Sequence, residues 1–182
     1  LGSGFSLKNA LVTGVSGAVY PVYLRHGYYN YTGTVENLTV SGCTNVSTVF
    51  WFGSSHWGKS YWTIKNCIIS NNTGTGVFAQ YVKSFDTFTY NNVYGNTTNY
   101  SGMTDPTGTN GNISVDPLFS TGENGNYYLS SIEIEGITSL CVDAGSNTAE
   151  NLGLGETNGF GTRSDGVYDR NIVDMGYHYT AG

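Results

Sequence analysis

The sequence predicts an all-β protein built as a parallel β-helix, a solenoid whose regular turns occupy residues 1–98 and whose irregular, loop-rich cap occupies residues 99–182. Three observations carry this expectation. The composition, with 26 Gly, 15 Tyr and only 11% charged residues, favours strands and turns over helices. A short motif of apolar residue, charge and Asn ahead of a strand recurs with a period of about 26–30 residues. A second strand recurs in step with the first.

The first motif reads Leu7-Lys8-Asn9-Ala10-Leu11-Val12, then Val35-Glu36-Asn37-Leu38-Thr39-Val40, then Ile64-Lys65-Asn66-Cys67-Ile68-Ile69, with a looser copy at Tyr90-Asn91-Asn92-Val93-Tyr94. The second strand reads Ala18-Val19-Tyr20, Thr48-Val49-Phe50 and Gly76-Val77-Phe78. In a parallel solenoid each turn pairs with the next at about 4.8 Å, so equivalent apolar residues stack inside. Val19, Val49 and Val77 are therefore expected to stack inward, and Leu11, Val40, Ile69 and Val93 to lie in the core. Asn9, Asn37, Asn66 and Asn92 are expected to form a ladder of amides at a common turn. A β-sandwich is the alternative architecture.

Charge and composition exclude several functions. A formal charge of −6 without a Lys/Arg cluster offers phosphate backbones little, so nucleic acid is not an expected partner. No apolar run approaches the ~20 residues of a membrane span. Cys43, Cys67 and Cys141 lack the close spacing of a metal site and read as buried small residues. The Asn-x-Ser/Thr triplets at Asn30, Asn37, Asn45, Asn71, Asn96, Asn99 and Asn112 would permit glycans in a secretory pathway that makes them. No Gly-rich phosphate loop, nucleophile elbow or His-Glu-x-x-His zinc pair is present.

Beyond Asn99 the repeat gives way to short islands: Asp116-Pro117-Leu118-Phe119, Asn126-Tyr127-Tyr128-Leu129 and Cys141-Val142-Asp143-Ala144-Gly145. They are followed by Thr162-Arg163-Ser164-Asp165-Gly166-Val167-Tyr168-Asp169 and Ile172-Val173-Asp174-Met175-Gly176-Tyr177-His178-Tyr179. Taken in order with the upstream repeats, these resemble the terminal sequence of bacterial and archaeal right-handed parallel β-helix repeat proteins. Ser139-Leu140 before Cys141 and Tyr168 depart from the pattern, where Ser-Pro and Pro are usual. The resemblance implies a large secreted or cell-surface protein whose β-helix ends here, often in an assembly that presents or grips polysaccharide. It implies no single reaction, because the fold carries lyases, hydrolases, adhesins and inert scaffold alike.

The repeat phase places three segments that follow the second strand at one edge of successive turns. They contribute Arg25, His26, His56, Trp57, Lys59, Tyr61 and Lys83, in a chain with only seven Lys and Arg. Aromatic faces stack on sugar rings and cations pair with uronate or sulfate, so these seven are the candidate carbohydrate-binding residues. Ordinary packing of solenoid loops is the competing account. A hydrolase needs two carboxylates set across a sugar, but the repeats hold only Glu36 and Asp86, at different phases. The candidate metal ligands are Asp165, Asp169 and Asp174, whose oxygen-rich, turn-prone surroundings suit calcium. Arg163 and Arg170 are close enough in sequence to pair with them instead.

The functional expectation is a non-catalytic extracellular structural or adhesive module, such as a self-assembling surface-layer or fibre subunit. Its expected partners are polysaccharide and copies of itself. The alternative is a polysaccharide lyase or hydrolase of the β-helix type with its catalytic turns upstream.

Overall fold

A computed structural model describes residues 4–17, 19–26, 31–54, 60–81 and 86–180. Among the described residues of roughly the first hundred, the strands are β1 Phe5–Thr13, β2 Val22–His26, β3 Tyr31–Ser41, β4 Thr48–Ser54, β5 Ser60–Lys65, β6 Ile68–Ser70, β7 Thr75–Gln80, β8 Thr87–Thr89, β9 Asn92–Tyr94 and β10 Thr98–Ser101. They form two parallel sheets. In the first, β1 pairs with β3, and β3 continues into β5 and β8 by its first half and into β6 and β9 by its second. In the second the order is β10-β7-β4-β2. The chain is therefore all-β with parallel pairing throughout these strands, unlike the antiparallel sheets of a sandwich.

The registers advance together. Leu7, Val35, Ile64 and Phe88 stand side by side in the first sheet, and Val22, Phe50, Val77 and Tyr100 in the second. The spacing is 28–29 residues at first and shortens towards β8–β10. Between the sheets lies the main core, which includes Val35, Leu38, Val40, Val49, Phe50, Phe52, Trp62, Ile64, Ile69, Val77 and Val93.

Each strand of the first sheet bends at one position. Asn9, Asn37 and Asn66 have φ of 47°, 53° and 56°, the left-handed region that Asn tolerates better than other side chains. The bend reorients the strand, so Val35 and then Leu38 both face the core. Tyr90, at φ 55°, holds the fourth such position in place of the expected Asn92. The repeat has shortened by several residues, which sets Asn92 beside Ile68 instead. There Asn92 binds Val115 reciprocally, through Nδ2 to the carbonyl and Oδ1 from the N–H.

The expected inward stack of Val19, Val49 and Val77 needs correction. Val49 and Val77 are buried, but Val77 pairs with Phe50, and Val19 is 59% exposed. Val22 heads the column. A turn of different length moves a register without changing residue types, and one residue of slip reverses every face. Likewise Val40, Ile69 and Val93 are fully buried and in register, with Val12 rather than the half-buried Leu11 as their partner.

The C-terminal part departs from the repeat. It contains an antiparallel hairpin of β11 Phe119–Gly122 and β12 Gly125–Leu129, two single-turn helices, α1 Ile132–Glu135 and α2 Ala149–Leu152, a 3-10 turn at Glu156–Asn158, and an antiparallel pair of β13 Phe160–Gly161 and β14 Tyr179–Thr180. A second core joins Leu129, Cys141 and Met175 to Ile68 of β6. The first sheet is thus covered on both faces, which explains why the adjacent Ile68 and Ile69 are both fully buried. All three cysteines are free and buried, as expected.

The bend asparagines fasten this cover. Asn9 makes a reciprocal pair with His178, donating to its carbonyl at 3.0 Å and accepting from its N–H at 2.7 Å. Asn37 donates to the Asp174 carbonyl at 3.1 Å, and Asn66 accepts from the Ser146 N–H at 2.9 Å. Of the expected amide ladder one rung is present, from Asn66 to Asn37 at 3.4 Å. Shorter rungs run from Asn72 to Asn96 at 2.8 Å and from Asn96 to Asn99 at 3.1 Å. Glycine is required at position 176, where φ is 90° and a Cβ would meet Thr39 Oγ1 at 2.7 Å and Ile68 Cδ1 at 2.9 Å.

Candidate functional site

The three connections expected to share an edge leave and re-enter the sheets at neighbouring positions. His26 is paired with Ser54 and Gly53 with Gln80 on the way out, and Tyr31 with Ser60 and Thr63 with Thr87 on the way back. Of the seven candidate residues, His56, Trp57, Lys59 and Lys83 lie outside the described residues, as does the side chain of His26. Arg25 is exposed on the outer face of the second sheet, since its strand neighbour Leu24 packs against the core. Tyr61 is half-buried and precedes the inward Trp62, so it faces outward from the first sheet. The two described members thus flank the edge on different faces and do not form one stripe.

An aromatic row that the sequence reading missed occupies the same outer face as Arg25. Tyr23, Trp51 and Phe78 are in register across β2, β4 and β7. Their rings follow one another at centroid separations of 4.6 and 6.3 Å, and Tyr20 stacks on Tyr23 at 5.0 Å. Trp51 is nearly covered, whereas Tyr20 and Tyr23 are 40% and 45% exposed. The alternation of β2 explains the row: Val22 and Leu24 point inward, so Tyr23 and Arg25 point outward together. Its signal was available as an aromatic at the same phase of successive repeats, but aligning the strands on Val19 hid it. Flat exposed rings beside a guanidinium offer stacking surface and charge in one patch.

The three candidate calcium ligands do not converge. Asp165 pairs with Arg163 and caps the Val167 N–H. Asp169 is buried and its Oδ2 lies 2.6 Å from His178 Nε2 while accepting from the Asp174 N–H at 2.9 Å. Asp174 bonds to the Thr162 hydroxyl and accepts from the Asp143 N–H at 2.7 Å. Among the described residues no group of three or more His, Cys, Asp or Glu is arranged to hold a metal ion. Each of the three carboxylates is engaged by protein groups instead.

This Asp–His network instead binds the chain's end to itself. His178 Nδ1 lies 3.1 Å from the Gly176 carbonyl, which can only accept, so Nδ1 carries a hydrogen. A single further proton then sits between Nε2 and Asp169, and the buried pair is neutral overall wherever that proton resides. Burial, and next the neighbouring Asp169, push the Asp174 carboxyl up to about 7. A second ionic column crosses the first sheet, where Glu36 lies 2.7 Å from both Lys8 and Lys65. Burial alone would raise the Glu36 carboxyl, but the two lysines hold it below its ordinary value.

Two glycan-acceptor triplets are occupied structurally. Asn37 and Asn112 are buried and committed to Asp174 and to Phe88 and Thr109. No helix among the described residues is long and apolar enough to cross a membrane. No protein family, curated protein or solved structure matches the chain.

Proposed function

We propose that the chain is part of a right-handed parallel β-helix that serves as a non-catalytic structural or adhesive module outside the cell or on its surface, meeting glycan on the outer face of β2, β4 and β7. The observation that carries this reading is the in-register row of Tyr23, Trp51 and Phe78 with Tyr20 stacked at its end. Parallel pairing of strands that recur in step supports the β-helix, because a solenoid is the arrangement in which each turn templates the next. The exposed Tyr20 and Tyr23 rings at the end of the row suit the apolar face of a sugar, and Arg25 beside them suits acidic glycans.

The test is binding of the chain to a panel of neutral and acidic polysaccharides, compared with Tyr23→Ala and Arg25→Ala. Tyr23→Ala should weaken both classes and Arg25→Ala mainly the acidic one, with a flatter salt dependence. Binding unaffected by either substitution would overturn the glycan reading. Protection of the same row between copies of the chain would assign it to self-assembly instead.

A further inference from the structure

The C-terminal region contains a second surface of defined shape, remote in sequence from the aromatic row. A recess of about 340 Å³ opens between the β11–β12 hairpin and the loop after β13, lined by Glu123, Asn124, Tyr128, Arg163, Tyr168 and Tyr179 among others. Its size falls at the lower end of small-ligand sites, which run from about 300 to 1,000 Å³.

Tyr128 and Tyr179 are stacked with centroids 4.0 Å apart and planes within 8°. Both hydroxyls are pinned by the backbone, Tyr128 by the Asn124 N–H at 3.3 Å and Tyr179 by the Tyr127 N–H at 3.2 Å. Arg163 is fixed by Glu133 at 3.0 Å and by Asp165. The walls are therefore set before any ligand arrives, which lowers the ordering cost of binding. Among the lining groups without a hydrogen-bond or ion-pair partner in the described residues are the Glu123 carboxylate, the Tyr168 hydroxyl and the buried Arg163 Nε–H.

The chemistry narrows the ligand. The Glu123 carboxylate repels an anion, while Arg163 and Asp165 are neutralised in their shared ion pair with Glu133. The two tyrosine rings cover each other's faces and are only 6% and 5% exposed, so they present an edge rather than the box that encloses an ammonium group. An open carboxylate and an open hydroxyl call for a ligand with several O–H groups. We infer that this recess binds a neutral saccharide unit, with a ring face against the edge of the Tyr128–Tyr179 pair and hydroxyls on Glu123 and Tyr168. The aromatic row and this recess would then be two independent glycan contacts of different charge preference.

Ligand-observed NMR and calorimetry on the whole chain test the assignment, with neutral oligosaccharides, uronate oligosaccharides and tetramethylammonium as probes. Tyr168→Phe, which keeps the ring and removes only the hydroxyl, should weaken neutral-saccharide binding by about three- to tenfold. Glu123→Gln keeps an acceptor, so it should preserve neutral binding while admitting uronates. Tyr23→Ala, on the other surface, should leave neutral binding at the recess intact. The inference is overturned if no neutral saccharide binds at millimolar concentration, if tetramethylammonium binds in its place, or if binding responds to Tyr23→Ala and not to Tyr168→Phe. A loss confined to the Tyr23→Ala variant would support the aromatic-row reading while refuting this one.

Discussion

The parallel-stranded part and the C-terminal part of this chain are held together by opposite means. In β1 to β10 the same position recurs in neighbouring strands, so stability comes from columns: Val12, Val40, Ile69 and Val93 inside, Lys8, Glu36 and Lys65 outside. From residue 102 onward nearly every important contact is made once. Asn9 meets His178, Asn66 meets Ser146, and Asp169 meets His178 inside the protein. A column spreads its energy over many similar contacts, whereas a singular contact concentrates it. Loss of one member should therefore be felt differently in the two regions.

The largest effect is expected at His178. Replacing it by Ala leaves Asp169 buried without its partner, and breaking such a pair costs about 3–5 kcal/mol. Urea denaturation should show this loss, with hydrogen exchange accelerated first around residues 160–180; a change under about 1 kcal/mol would show that the network is not the fastening.

In the columns, Ile69→Ala should cost about 2–4 kcal/mol by opening a cavity. Val19→Ala should stay within about 0.5 kcal/mol, because Val19 is largely exposed. Equal effects at the two sites would contradict the register found here and restore the alignment on Val19.

A pH series sharpens the comparison further. Asp174 titrates near 7 in the folded protein, above its ordinary value of 3.8. Its contribution is thus fully present below the unfolded value and is lost as pH rises through about 7. Glu36 is held below its ordinary value, so its contribution is present above the unfolded value and lost as pH falls through the depressed one. Melting temperature should therefore peak at mildly acidic pH. Asp174→Asn, which mimics the protonated carboxyl, should flatten the decline between about pH 4 and 7 while leaving the acid limb in place. A profile unchanged by Asp174→Asn would remove that residue from the account.

The smallest effect belongs to Lys8. Its ammonium is mostly exposed, so Lys8→Ala should cost less than about 1 kcal/mol despite its 2.7 Å contact with Glu36. Thermal denaturation at low and high salt checks this, and a loss above 2 kcal/mol would show that the charge column is not a solvated surface feature.

These two regions also differ in how far they can be read from sequence. The strand pairs, the parallel repeat and the first three bend positions follow from periodicity, because a repeat states each requirement several times. The fourth bend was misplaced at Asn92, since a shortened turn shifts the register while leaving an attractive Asn nearby. Tyr23, Trp51 and Phe78 were overlooked for the same reason: phase set by Val19 is wrong for β2. The Arg163–Asp165 pair was legible, two residues apart, but linear sequence does not show the Thr162 and His178 groups that meet Asp174 and Asp169 in the fold. The recess between β12 and the loop after β13 has no linear signature at all.

The register of the two parallel sheets is tested most directly by cross-linking engineered cysteine pairs in a background with the three native cysteines replaced by Ser or Ala. Residues opposite one another in adjacent parallel strands lie about 4.8 Å apart, within disulfide range. Tyr23→Cys with Trp51→Cys, and Thr13→Cys with Ser41→Cys, should form disulfides readily under mild oxidation. Val19→Cys with Val49→Cys should not. Efficient closure of the Val19–Val49 pair, with failure of the other two, would contradict the paired, in-step sheets on which the fold and the proposed glycan contact of the aromatic row rest.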